Sequence, residues 1–354
     1  YGPTLNINGT QISYDESTYI SDILTEHAVE WLVNADKEKP FFMYLSHKAV
    51  HSEFAPAQRH MGTYETEEIS YPPSFDPPPR SQNRPASPER NGQPLRGKDH
   101  YGDRRLPDWV KEQRESWHGV DYMYHGGINF EDFFHRYTET LRGIDDSVGS
   151  VLDYLDRNDL AEDTLVIYMG DNGFSFGEHG LIDKRHFYEE SAKVPLIVRW
   201  PSKLEGGEPI ESLVQNIDIA PTILEAAGIQ APKEMQGMSF VPLMTRAEPP
   251  WRDRIFYEYF WELDFPQTPT MFGVRTDRYK YIRYHGIWDT NEFYDLENDP
   301  NEMQNLIDAP EHQERITSFA NDIYDWLEET NGLNIPLKKI VRPKFGDHRN
   351  QDVL

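Results

Sequence analysis

Cysteine is absent from all 354 residues. That excludes a disulfide framework, a thiolate zinc site and a cysteine nucleophile within this chain. No apolar run approaches the roughly 20 residues that cross a bilayer, and the opening "YGPTLNING" lacks the features of a signal peptide. Positive charge is scarce: 35 Lys and Arg stand against 61 Asp and Glu, for a formal net charge of −26. Such a surface disfavours nucleic acid and anionic membrane as partners, and it admits an anionic substrate only at a locally basic site. What is present is size. With 37% hydrophobic residues, the chain can bury the core of one large domain and a smaller one.

Apolar spacing organises the chain. Ile20, Ile23, Leu24, Ala28, Trp31 and Leu32 recur at helical intervals, which predicts a helix over about 21–35. "KPFFMYLS" (39–46) reads as a short buried strand. Residues 55–128 are rich in Pro, Arg and Tyr without a period, and read as a long loop excursion. A second helix carries one stripe: Phe130, Phe133, Phe134, Tyr137, Leu141, Ile144, Val148, Val151, Leu152 and Leu155. "DTLVIYMG" and "KVPLIVRWP" read as further buried strands, and "NIDIAPTILEAAGI" as a helix ending near Gly228. This alternation predicts an α/β fold with a mostly parallel central sheet flanked by helices over residues 1–250. After Pro250 short aromatic β-type runs and one amphipathic helix predict a C-terminal α+β subdomain over 251–354, built on an antiparallel sheet.

Ligands of open α/β sheets bind at the carboxyl ends of strands. Two stretches lie at such ends. "GDNGFSFGEHGLIDKRHFYEES" (170–191) begins with Asp171 and Asn172, a carboxylate and an amide. Their hard oxygens suit Ca²⁺ or Mg²⁺, while the plainer reading of Asp-Asn-Gly is an Asx turn. Lys184 could hold one oxygen of a tetrahedral anion, although most lysines are simply solvated. "SHKAVH" (46–51) brings His47, Lys48 and His51 to another strand end, where a histidine can bind an anion or protonate a leaving alkoxide. Between them, "ESWHGVDYMYHGG" (115–127) offers Trp117 and Tyr122 for stacking on sugar faces, and His118 and His125 for hydroxyls; pinning of a long loop explains these residues equally well.

"PFFMYLSHKAVHSEF", "YMGDNGFSFGEHGLIDKRHFYEESAKVPLIVRWP" and "GVRTDRYKYIRY…EFYDLENDPNEMQNL" together resemble the sulfatase family of the alkaline-phosphatase superfamily. The "DKR-x-x-YE" wording is most similar to N-acetylglucosamine-6-sulfatases and bacterial polysaccharide sulfatases. The resemblance implies a sulfuric ester hydrolase acting on a sulfated carbohydrate, exported or periplasmic. It implies Asp171 and Asn172 as Ca²⁺ ligands, with Mg²⁺ as second choice. Lys184 and His51 take catalytic roles by this match, with His47, Lys48 and His179 beside them as substrate contacts; His118 joins them as a substrate contact from the reading of its own stretch. The family nucleophile is a formylglycine made within C/S-x-P-S-R, a signature that does not occur here. The resemblance therefore places the nucleophile and the two earlier metal aspartates on an N-terminal segment of the same protein. A phosphomonoester or phosphonate hydrolase of the same superfamily, and a non-catalytic carbohydrate-binding protein, are the alternatives.

Overall fold

The computed structural model describes residues 1–75, 89–90, 93–94, 105–114, 116, 118–120 and 129–334, apart from 208, 248 and 264. A hairpin of β1 (Thr4–Ile7) and β2 (Thr10–Ser13) leads into helix α1 (Ile20–Asn34). A two-residue ladder pairs β3 (Glu89–Arg90) with β4 (Gln93–Pro94), and a short helix α2 (Asp108–Gln113) follows. Helix α3 (Phe130–Arg157) is the longest element. Asn129 caps it by accepting from the Glu131 amide at 3.0 Å. Glu131 and Asp132 in the first turn and Arg157 in the last complement the helix dipole. Its apolar stripe buries Phe130, Phe133, Ile144 and Leu155.

Strands β5 (Val166–Met169) and β6 (Leu196–Arg199) pair with each other, and the site loop runs between them. Helices α4 (Glu189–Ala192), α5 (Ile219–Ala226) and α6 (Val241–Met244) are short. The predicted helices over 21–35, 130–155 and before Gly228 are all present. Among the described residues β5 and β6 pair with each other in antiparallel fashion, with Met169 opposite Leu196. A parallel return needs a crossover of a dozen or more residues, usually a helix. Here the connection carries only the four-residue α4 and folds back on itself. "KPFFMYLS" likewise has no ladder partner among the described residues. Its side chains still alternate in exposure, with Phe42 66% and Tyr44 83% exposed and Phe41, Met43 and Leu45 half-buried, and all five line one cleft.

The C-terminal region forms the expected antiparallel sheet. Its strands are β7 (Arg254–Tyr259), β8 (Thr270–Thr276), β9 (Tyr279–His285) and β10 (Glu292–Asp295), in the order β10-β9-β8-β7. Strand alternation sends successive side chains to opposite faces. Phe272, Val274, Tyr281 and Phe293 meet Ile316, Phe319, Ile323 and Leu327 of helix α7 (Gln313–Glu329). Met271, Ile282, Tyr284 and Tyr294 meet Trp109 and Val110 of α2 together with Leu181, Phe187 and Tyr188. The second face thus forms one core with the loop between β5 and β6. Gly273 permits this: a Cβ there would lie 2.2 Å from the Phe187 ring.

Candidate active site

The loop from Gly170 to Pro195 is stitched across its own width. Backbone amides of Gly170, Gly173, Ser175 and Gly177 donate to the carbonyls of Pro195 (3.2 Å), Ser191 (2.8 Å), Asp183 (2.8 Å) and Leu181 (2.7 Å). Gly173 is required by this closeness, because a Cβ would fall 2.0 Å from the Glu190 carbonyl oxygen. The loop is also gripped from behind. Lys280, fully buried on β9, donates to the Phe187 carbonyl at 2.8 Å and pairs with Glu189 at 2.7 Å and Glu302 at 2.8 Å. Burial raises the Glu189 carboxyl, but Lys280 and Arg275 outweigh it and hold the group down at about 2. Tyr188 donates its hydroxyl to Glu292 at 2.7 Å. Lys184 therefore leaves a backbone anchored on both sides, as a preorganised site needs.

A cleft of about 2340 Å³ opens beside this loop. It exceeds the roughly 300–1,000 Å³ of a small-molecule pocket, because part of its wall is apolar surface of α3, α5 and β5, including Leu152, Ile223 and Val166. The same cleft is lined by Asp171, Asn172, Lys184, His47, Lys48, His51 and His118. Seven of the eight expected residues thus reach one cavity from segments more than a hundred residues apart. Among the described residues the ammonium groups of Lys48 and Lys184 have no carboxylate partner.

His51 donates its Nδ1–H to the Ser52 carbonyl at 2.7 Å, since a carbonyl can only accept. Its Nε2 is left for a ligand. His47 is held differently, with Nε2 3.0 Å from the Ser147 hydroxyl. Burial lowers its pKa, which disfavours the imidazolium that would bind an anion. His118 packs against Phe265 at 5.2 Å; burial lowers its pKa too, against the opposing charge of Asp183.

His179 is the exception. Its amide donates to Ser74 at 2.8 Å in a turn where Gly177, His179 and Gly180 all have positive φ, and its fully buried ring stacks on Tyr188 at 4.3 Å. The turn aims it into the core, and it does not line the cleft with the other seven. Trp117, Tyr122 and His125 lie outside the described residues.

The Asp171–Asn172 turn suits a hard cation in part. Asp171 Oδ1 accepts from the Asn172 amide at 2.9 Å, and Asn172 Nδ2 donates to the Gly173 carbonyl at 2.8 Å. One oxygen of each side chain is left over. Two oxygens are a fraction of the six to eight that Ca²⁺ takes. Among the described residues no cluster of three or more metal-ligating side chains occurs, so these two would contribute to a shell completed from elsewhere.

Two cleft residues were missed. Arg185 follows Lys184, stacks its guanidinium 3.3 Å above the centre of the Phe265 ring and pairs with buried Asp183 at 2.6 Å. The "DKR" wording could have flagged it as a second cation. Glu190 also lines the cleft, and one carboxylate oxygen is buried without a hydrogen-bond partner among the described residues. Nothing in "YEES" signals that burial. Desolvation, helped by the charge of Glu178, pushes its pKa from 4.5 to about 7. A raised folded-state pKa gives stability that is present below pH 4.5 and lost as pH rises through about 7. Glu190→Gln removes the charge and should raise stability at pH 8 by up to about 3 kcal/mol, with little change near pH 4.5. Thermal melts of both proteins across that range check this; an equal gain at both pH values would contradict it.

The fold and the cleft define an α/β protein of alkaline-phosphatase type. The chain belongs to the sulfatase family. The family description "Sulfatase" matches residues 4–229, and "N-sulphoglucosamine sulphohydrolase, C-terminal" matches 177–329. An N-acetylglucosamine-6-O-sulfatase of Bacteroides thetaiotaomicron is 28% identical over 352 residues, 89% of this chain and 62% of that protein. The chain thus spans less than two thirds of that relative's length. A solved structure of a protein in complex with its substrate D-glucosamine-2-N,6-O-disulfate superposes with a TM-score of 0.76 at 25% identity, covering 96% of this chain and 75% of the other. The phosphonate monoester hydrolase of Agrobacterium radiobacter shares the fold, with a TM-score of 0.66 at 19% identity over 90% of this chain and 62% of its own. No helix among the described residues is long and apolar enough to cross a membrane.

Proposed function

We propose that the protein carrying this chain hydrolyses the sulfate ester of a sulfated carbohydrate, with a glucosamine 6-sulfate unit as the first candidate. One observation carries the reading: Asp171, Asn172, Lys184, Lys48 and His51 line the same cleft. In a chain of net charge −26, two lysines without carboxylate partners among the described residues supply the local positive field that a sulfate needs. Lys184 holds a sulfate oxygen and offsets charge on the bridging oxygen as the S–O bond breaks. His51, with Nδ1–H committed to Ser52, carries a proton on Nε2 when charged and delivers it to the leaving sugar oxygen. Arg185 and His118 face the sugar. The relative named for N-acetylglucosamine 6-sulfate and the structure bound to a 6-O-sulfated glucosamine support that substrate class.

A formylglycine would supply the attacking oxygen in this reading, and Ca²⁺, held in part by Asp171 and Asn172, would withdraw charge from the sulfate. If these residues ligate it, added Ca²⁺ should raise the melting temperature of the protein, and Asp171→Ala should abolish most of the rise. An unchanged rise in the mutant would remove Asp171 from the shell. The sulfated glycans of this reading lie outside cells, which is the reason for proposing secretion or a periplasmic location.

The phosphonate-hydrolase reading is tested beside the sulfatase one. Inorganic sulfate is measured by ion chromatography after incubation with glucosamine 6-sulfate, in parallel with phosphonate monoester cleavage. Sulfate release well above phosphonate cleavage is expected. The reverse ranking would favour the phosphonate hydrolase, and no turnover of either would favour a carbohydrate-binding role.

A further inference from the structure

The side chains behind His47 form a chain of hydrogen bonds whose protons can be counted. Thr25 on α1 places Oγ1 2.6 Å from the Ser21 carbonyl and 2.6 Å from Ser147 Oγ on α3. Ser147 Oγ in turn lies 3.0 Å from His47 Nε2. Ser147 is 3% and Thr25 8% exposed, which shields both contacts from bulk water. The Ser21 carbonyl can only accept, and two oxygens 2.6 Å apart without a proton between them repel. Thr25 therefore donates its single proton to Ser21. The contact between the two hydroxyls then needs the proton of Ser147. With that proton committed, Ser147 can meet His47 only as an acceptor, so His47 Nε2 must carry hydrogen.

We propose that Thr25 and Ser147 are positioning residues of the cleft: their relay fixes His47 as the Nε2–H tautomer and thereby anchors the turn from His47 to His51 on helices α1 and α3. The turn closes through the His51 amide donating to the Lys48 carbonyl at 3.0 Å. At its far end, His51 donates Nδ1–H to Ser52. The two histidines thus hold opposite tautomers, with His47 pinned to the scaffold through Nε2 and His51 presenting Nε2 to the cleft. His47 anchors in this arrangement and does not grip sulfate. Its Nδ1 is buried with no hydrogen-bond partner among the described residues. The kinetic role rests on the sulfatase reading above; the tautomer does not.

The test has two arms. In the full chain labelled with ¹⁵N-histidine, ring-nitrogen shifts should report an Nε2–H tautomer for His47, and Ser147→Ala should remove that preference. An Nδ1–H tautomer in the unmodified chain, or an unaltered tautomer in the mutant, would overturn the relay. In the kinetic arm, Ser147→Ala and Thr25→Val should lower kcat for sulfate release by roughly tenfold with KM nearly unchanged, the scale of one lost buried hydrogen bond. His47→Gln, whose amide nitrogen reaches the Nε2 position, should keep most of the activity, while His47→Asn should not. Equal losses in those two variants, or full activity in Ser147→Ala, would overturn the positioning role. If the unmodified protein releases no sulfate, the sulfatase reading fails alone and the nitrogen shifts still decide the relay.

Discussion

Lys184→Ala should cut kcat on a sulfated sugar by roughly 10²–10³, the usual loss for one preorganised donor to developing charge. Two features make the effect large. Its ammonium has no carboxylate partner among the described residues, so its charge is undiluted. Its backbone belongs to a loop tied to itself and held by Lys280 and Tyr188, so the charge waits in place. Lys184→Arg should recover only part of the loss, because a planar fork does not reproduce a compact ammonium. Sulfate release under saturating substrate checks both variants. Rates near those of the unmodified protein in Lys184→Ala would take that residue out of the site.

His51→Ala should lose about 10²–10⁴ in kcat on an alkyl sulfate, the range for general acid catalysis. An activated aryl sulfate leaves as a more stable anion and needs less proton transfer, so the loss there should be about tenfold or less. The contrast between leaving groups is the diagnostic. Equal losses on both would mean that His51 positions the ester without protonating it.

The legible and illegible parts of this chain divide along physical lines. Helices α1 and α3 were readable because apolar residues recur in each at a period of 3.6, although the buried face of α1 is Ser21, Thr25, Ala28 and Leu32 while Trp31 is exposed. The C-terminal sheet was readable because its strands bury both faces in aromatic and β-branched residues between clear turns. Strand direction was not. "VIYM" and "LIVR" look alike in a parallel or antiparallel ladder, and the outcome was set by a loop that stitches back on itself. For "KPFFMYLS" the alternation was visible, but an apolar alternation cannot say whether a neighbouring strand is there to pair with it.

The site shows the same division. That Asp171, Lys184, His47 and His51 share a cleft was legible because chemically active residues stood just after apolar runs. The inward turn of His179 was not legible, since it depends on positive φ at three positions, which no spacing rule reveals. Glu190 and Ser147 were missed for a different reason. A glutamate in a charged stretch and a serine in a helix are ordinary by sequence, and only three-dimensional neighbours make one a buried carboxyl and the other a tautomer clamp.

The central claim is that side chains from distant segments converge on one sulfate ester. A crystal structure of the Lys184→Arg protein soaked with glucosamine 6-sulfate tests it most directly. The account predicts the sulfate group in the cleft, with its oxygens about 2.7–3.2 Å from the guanidinium at position 184 and from His51 Nε2, beside the Asp171–Asn172 turn. A sulfated sugar seated elsewhere on the molecule, with those side chains untouched, would contradict it.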